Sequence, residues 1–178
     1  MSNIVLGVTG SIAAYKAADI ANRLTKDGHA VSVIMTASAA EFITPLTFQT
    51  LTKKKVYTEM FDLIDYEDVK HISLAKAADL LLIAPATANI IGKLASGIAD
   101  DMLSTVAMAV QNKPTLICPA MNTAMYENPA VQSNIEKLRS YGVHFVEPKE
   151  ALLACGDVGK GALADVEVIL ETVADFLA

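Results

Sequence analysis

Asn3-Ile4-Val5-Leu6-Gly7-Val8-Thr9-Gly10-Ser11-Ile12 opens the chain, and its reading decides the fold. Asn3–Val8 is a short, nearly continuous apolar run, as in a strand. Thr9-Gly10 punctuates it. Ser11–Lys26 then sets Ala13, Ala17, Ile20, Ala21 and Leu24 at the i, i+4, i+7, i+8, i+11 spacing of a helix's core face. A strand, a glycine turn and a helix in that order begin a parallel sheet covered by helices. The rhythm continues. Asp27-Gly28 closes the helix and Ala30–Met35 reads as a second strand. Asp79–Ala84 and Pro114–Cys118 are further apolar runs, as expected for strands buried on both faces. Asp100-Asp101 open a helix through Val110, with acids against its positive end. Asn128-Pro129 cap another, which Gly142 ends, and Val143–Val146 is a later strand. From Asp165 a last helix shows Val166, Ile169, Leu170, Val173 and Leu177 on one face, and its run to the C-terminus leaves no expected room for a second domain.

Composition narrows the class. A chain of 178 residues that is 53% hydrophobic, with mean hydropathy +0.40, has a sheet buried on both faces or covers surface with a partner subunit; both are expected here. A net charge of −6 and a pI near 5.0 argue against nucleic acid as a partner. Cys118 and Cys155 are too few for a disulfide framework, which favours a reducing compartment. The N-terminus lacks a basic region and a cleavage-site pattern, so it reads as a strand and not as a signal peptide. Leu80–Gly92, the most apolar stretch, is interrupted by Pro85, Thr87 and Asn89 and is too short to span a bilayer. The expectation is a soluble, cytoplasmic protein with no membrane partner and no metal. Lys53–Lys70 departs from the rhythm: three lysines precede Asp62, Asp65, Glu67 and Asp68, which reads as a solvated excursion or, alternatively, a lid or intersubunit flap.

Ligands of a parallel α/β sheet bind outside the carboxyl ends of its strands. After the first strand comes Thr9-Gly10-Ser11-Ile12, whose free N–H groups and positive helix end suit a phosphate. The turn matches neither G-x-G-x-x-G nor the P-loop pattern, so the NAD and ATP signals are missing. Thr36 and Ser38 follow the second strand, Thr87-Ala88-Asn89 the third apolar run, and Ala120-Met121-Asn122 the fourth. Each alone is more often a cap than a ligand contact. Together they outline a crevice for a planar, neutral, hydrogen-bonding ligand that carries one phosphate.

The same residues carry a resemblance. Gly7–Lys16, Glu41–Phe48, His71–Ala75, Ala84–Asn89, Pro119-Ala120-Met121-Asn122-Thr123-Ala124-Met125-Tyr126 and Ala154-Cys155-Gly156-Asp157-Val158-Gly159 resemble the homo-oligomeric flavin-containing cysteine decarboxylases over essentially the whole chain. The Pro-x-Met-Asn-x-x-Met and Ala-Cys-Gly-Asp segments are the specific ones. The resemblance implies one three-layer α/β/α Rossmann-like flavoprotein domain over residues 1–178, built around a parallel sheet. It implies FMN held by Gly10, Ser11, Ile12, Thr36, Ser38, Thr87, Ala88, Asn89 and the backbone at Ala120. It also implies a trimer, or a dodecamer of trimers, with the flavin at a subunit contact.

As substrate the resemblance implies 4'-phosphopantothenoylcysteine, contacted by Asn122, Met125 and Ala154. Direct loss of CO2 from a cysteine carboxylate leaves a carbanion with nowhere to delocalise. Oxidation of the thiol to a thioaldehyde by FMN creates an electron sink equivalent to the ketone of a β-keto acid. The enethiol left after CO2 loss then takes back the hydride to give 4'-phosphopantetheine, with no net redox change. The implied catalytic residues are His71 as base, Asn122 on the carboxylate and Cys155 as proton donor to the enethiol. A neutral amide suits the carboxylate, because a cation there would stabilise the ionised ground state. Read without the resemblance, His71 is a polar residue near the start of a short helix, Asn122 a cap, and Cys155 part of a glycine-rich loop expected to be a mobile flap. His29 and His144 are read as structural, and Cys118 as a buried apolar residue. Leu152 stands where some relatives carry a basic residue, which leaves Lys149 or Lys160 to hold the substrate phosphate. Decarboxylation of peptidyl cysteines, a non-catalytic flavin-binding regulatory role and an electron carrier are the alternatives.

Overall fold

The computed structural model describes residues 1–61, 69–154 and 156–178. Its elements run β1 (Asn3–Val8), α1 (Ala14–Lys26), β2 (Ala30–Met35), α2 (Ala37–Ala40), α3 (Pro45–Thr52), β3 (Val56–Tyr57), α4 (Lys70–Ala77), β4 (Leu80–Ala86), α5 (Ala88–Ser96), α6 (Met102–Ala109), β5 (Thr115–Pro119), α7 (Thr123–Tyr126), α8 (Pro129–Ser140), β6 (His144–Phe145), β7 (Lys149–Leu152), β8 (Val158–Ala162) and α9 (Val166–Leu177).

The six-stranded sheet has the order β3-β2-β1-β4-β5-β6 and is parallel at every pairing. This is the order of a doubly wound sheet, in which the strand sequence reverses between β1 and β4 and leaves a crevice at their carboxyl ends. Successive side chains of a strand point to opposite faces, and each face has its own core. Ile4, Leu6 and Val8 join Ala17, Ile20, Ala21 and Leu24 of α1 and Ile169 and Val173 of α9. Val5, Ile34, Leu81, Ile83 and Ile117 pack instead with residues of α4, α5, α6 and α8, among them Ile90, Val106 and Leu138. The result is the expected three-layer α/β/α Rossmann-like architecture. Gly7 leaves room for a neighbour: a Cβ there would lie 2.4 Å from Leu103 Cδ1, so the Leu103 side chain of α6 would have to shift.

Element boundaries moved where local chemistry outweighs periodicity. The first helix begins at Ala14 and not Ser11, because Ser11-Ile12-Ala13 forms a turn in which Ala14 N–H reaches Ser11 O at 2.9 Å. The third run extends through Pro85 to Ala86, while the later strand shrinks to His144–Phe145 on the sheet edge. Asp101 forms a full capping box with Ser104 at the start of α6, its Oδ1 accepting from Ser104 N–H at 2.8 Å. Lys93 donates to Asp100 at 2.6 Å and to Asp101 at 2.8 Å, tying the end of α5 to that cap.

The polar Lys53–Lys70 excursion contributes one feature that periodicity did not announce, the edge strand β3 beside β2. Residues 62–68, which hold Asp62, Asp65, Glu67 and Asp68, lie outside the described residues. Lys149–Leu152 and Val158–Ala162, on either side of the loop expected to be a mobile flap, pair as an antiparallel hairpin, β7–β8. Among the described residues no helix is long and apolar enough to cross a membrane.

Candidate active site

A cleft of about 480 Å³ opens at the carboxyl ends of β1, β4 and β5, where the topology predicts a ligand. Its floor is the β1–α1 turn. Thr9 locks that turn to β4, its Oγ1 donating to Pro85 O at 2.7 Å and accepting from Thr87 N–H at 3.0 Å. This buried threonine was not among the predicted site residues, yet it fixes two strand ends relative to each other. The only signal for it in the sequence was its place between strand and glycine. Thr87 caps α5 through Oγ1 and Ile90 N–H.

Gly10, Ser11, Ile12, Thr87, Ala120, Asn122, Met125 and Ala154 all line this cleft, so eight predicted positions from distant parts of the sequence converge. Thr36, Ser38, Ala88 and Asn89 do not line it. Thr36 is engaged as the cap of α2, accepting from Ala39 N–H at 3.2 Å. Ser38 is exposed beside the glycine turn, and a Cβ on Gly10 would lie 2.4 Å from its own Cβ. Gly10 thus lets α2 approach the turn, which adds to its expected role of letting a ligand approach. Ala88 and Asn89 begin α5, with Asn89 turned to solvent.

Asn122 caps α7, its Oδ1 accepting from Ala124 N–H at 2.9 Å. That bond fixes which way the amide faces and makes Nδ2 the donor edge. The hairpin forms the opposite wall through Leu152, Leu153 and Ala154. Met121 N–H donates to Gly161 O at 2.9 Å, and a Cβ on Gly161 would lie 2.3 Å from Met121 O. A Cβ on Gly159 would meet Thr123 Oγ1 at 2.5 Å. These glycines, read from the sequence as marks of a mobile flap, are where β8 lies flat against the Met121–Thr123 loop. Cys155 itself lies outside the described residues, between Ala154 on the cleft wall and Gly156, whose φ of 91° suits glycine alone.

Behind α7 a polar cluster braces the hairpin. Glu147 Oε2 accepts from Tyr126 Oη at 2.9 Å and from Lys160 Nζ at 2.7 Å, while Oε1 pairs with Arg139. Burial raises the Glu147 carboxyl, but its bonds from Lys160 and Tyr126 prevail and hold it below the usual range. Burial, then the bond to Glu147, pushes the Tyr126 hydroxyl up to about 12. Lys160 is therefore committed to Glu147, and Lys149 to Asp165; neither expected phosphate holder lines the cleft.

His71 does not line this cleft. It begins α4 and borders a second one of about 520 Å³ with Val56, Tyr57, Phe61 and Val69. Cys118 is fully buried in β5, where desolvation drives its thiol far up, and His144 packs on Phe176 with ring centroids 4.5 Å apart. Both positions agree with structural roles.

The cleft suits a flavin mononucleotide: Met121, Met125 and Phe42 offer apolar walls to a planar ring, and the α1 turn offers N–H groups to a phosphate. Comparison with known proteins points the same way. The Flavoprotein family model matches residues 1–178. A probable phosphopantothenoylcysteine decarboxylase of Streptococcus mutans is 50% identical over 175 residues, 98% of each chain. The coenzyme A biosynthesis bifunctional protein CoaBC of Bacillus subtilis is 50% identical over 169 residues, 95% of this chain but only 41% of that protein. Among solved structures, a PPC decarboxylase mutant complexed with pantothenoylaminoethenethiol superposes with TM-score 0.89 at 32% identity, covering 99% of this chain and 98% of the other. The FMN-dependent cysteine decarboxylase SpaF gives 0.85 at 32% identity, covering 100% and 98%.

Proposed function

The chain belongs to the Flavoprotein family, and from that premise we propose that it is an FMN-dependent phosphopantothenoylcysteine decarboxylase that forms 4'-phosphopantetheine for coenzyme A. The observation that carries the reading is the placing of Asn122, Met125 and Ala154 on one cleft with the glycine turn. The similarity over 98% of a probable decarboxylase of this specificity supports it. Residues 1–178 act as one FMN-binding decarboxylase domain. The low cysteine count and the metabolic role favour a cytoplasmic setting.

Bound in the cleft, FMN supplies a two-electron acceptor and donor. The residues of the chain do the rest. Ile12 presents its backbone N–H and Ser11 its hydroxyl to the cofactor's phosphate, with Gly10 leaving room for it; the Ser11 N–H is spent on Thr9 O at 2.9 Å. Asn122 Nδ2 donates to the substrate carboxylate without adding positive charge, so the negative charge is free to leave as CO2. Met125 and Ala154 close apolar surface over the cysteine side chain and exclude water. His71 takes the thiol proton, and Cys155 gives a proton to the enethiol carbon. Because His71 borders a different cleft from Asn122, the complete site joins two copies of the chain, and the protein works as a trimer or a dodecamer of trimers. The exposed Ile12, Tyr15 and Phe42 beside the cleft support such a contact.

Purified protein should carry a yellow flavin and release CO2 from 4'-phosphopantothenoylcysteine. Cys155→Ser should still release CO2 while an enethiol accumulates. A colourless protein, or a variant making finished product at the wild-type rate, would contradict the reading. A peptidyl-cysteine decarboxylase would instead act on a peptide C-terminus and ignore the phosphorylated substrate.

A further inference from the structure

Lys16 is the one charged side chain on the cleft wall among the described residues. Everything else there is apolar, small or neutral and polar. The two lysines of the hairpin are taken up elsewhere, Lys149 by Asp165 and Lys160 by Glu147. Lys16 instead extends along the cleft beside Tyr15, with Nζ 6.0 Å from the ring centre.

Its position is also unfavourable for an unliganded helix. Lys16 lies in the first turn of α1, which contains no acidic residue, so its charge adds to the positive end of the helix dipole. Asp165 feels the lysine's field but is already bonded to Lys149. A cation and a helix end of the same sign, facing an open neutral cleft, attract an anion carrying more than one charge.

Resting on the decarboxylase reading above, we infer that Lys16 binds the substrate's phosphate monoester and so selects the phosphorylated substrate. The carboxylate end belongs at Asn122, after β5, and α1 follows β1; β4 lies between them, so the two anchor points start about 10 Å apart. That separation keeps the positive charge away from the carboxylate, which must lose its charge as CO2. The same phosphate chemistry could come from the cofactor. The glycine turn at Gly10-Ser11 already serves that group, and Lys16 lies further along the helix.

The test uses flavin-loaded wild type, Lys16→Met and Lys16→Arg with 4'-phosphopantothenoylcysteine and with the same compound lacking its phosphate. Lys16→Met should raise KM for the phosphorylated compound about 10- to 100-fold, with kcat little changed. KM for the unphosphorylated compound should hold, so the preference collapses, and Lys16→Arg should restore most of it. Raising the salt should erode the wild-type preference more than that of Lys16→Met. An equal loss on both substrates would overturn the inference. So would a Lys16→Met protein that loses FMN but still binds riboflavin, because that result would put Lys16 on the cofactor's phosphate. Wild type that releases no CO2 from either compound would overturn the decarboxylase reading, and this inference with it.

Discussion

Asn122 is proposed to do two jobs with the two ends of one amide: Oδ1 caps α7, and Nδ2 is the proposed donor to the substrate carboxylate. The jobs can be separated. Aspartate is as good a helix cap as asparagine, so Asn122→Asp keeps the cap but puts a negative charge against the substrate carboxylate. The expected outcome is a melting temperature within about 2 °C of wild type, with CO2 release reduced at least about 100-fold. Asn122→Ala should lose both, with the cap worth about 1 kcal/mol. Thermal melts and initial rates on the same preparations check this; equal rates for Asn122→Asp and wild type would remove the amide from the carboxylate. Gly161 makes a second residue-scale case. Alanine there would bring Cβ to 2.3 Å from Met121 O, a backbone atom that cannot swing away. Gly161→Ala should displace β8 and cost about 1–3 kcal/mol, read as a lower urea midpoint.

At the scale of elements, the β7–β8 hairpin is held to α7 and α8 through Glu147. The Glu147 carboxyl is held below its ordinary value in the fold, so its contribution is present above about pH 4.5 and is lost as pH falls through the depressed folded value. Tyr126 runs the other way: raised to about 12, its hydroxyl costs stability as pH climbs above the ordinary tyrosine value of about 10. Glu147→Gln should therefore be less stable than wild type at pH 7, with the gap closing towards pH 3. Because Glu147 is half exposed, solvent screening limits the gap to about 1 kcal/mol. Denaturant melts at several pH values check it, and a gap that widened in acid would contradict the assignment. The same hairpin marks the limit of what the sequence discloses. Strands β1 and β2 were legible to the residue because apolar runs with glycine breaks encode buried parallel strands. Cys-Gly-Asp-Val-Gly-Lys-Gly carries no such period, since Gly159 answers to the Thr123 side chain and Gly161 to the Met121 backbone, both distant in sequence. Edge strand β3 was hidden for a related reason: two residues are too few to show alternation. The cleft was legible as strand ends plus a resemblance. Lys16 was not, because in the helix it reads as one more polar-face residue.

At the scale of the whole molecule, the two halves of the proposed catalytic set lie apart. Asn122, Met125 and Ala154 line one cleft and His71 borders another. Within one chain these groups do not line a shared cavity; the proposed rotationally symmetric assembly is what would bring one copy's first cleft against another's second. Apolar side chains flank both, Ile12 and Tyr15 at 59% and 61% exposure by the first, Phe61 and Val69 at 83% and 59% by the second. Sedimentation should therefore give the mass of a trimer or a multiple of it. Complementation tests the arrangement directly. His71→Asn and Asn122→Asp should each be inactive alone. When the two are unfolded together, mixed in equal amounts and refolded with FMN, random assembly gives about one site in four an intact His71 from one copy and an intact Asn122 from its neighbour. Recovery of about a quarter of wild-type activity is the expected result. Mixing the folded variants without unfolding should restore none if the assemblies do not exchange subunits. A site contained within a single chain predicts no recovery in either case, since no chain then carries both intact residues.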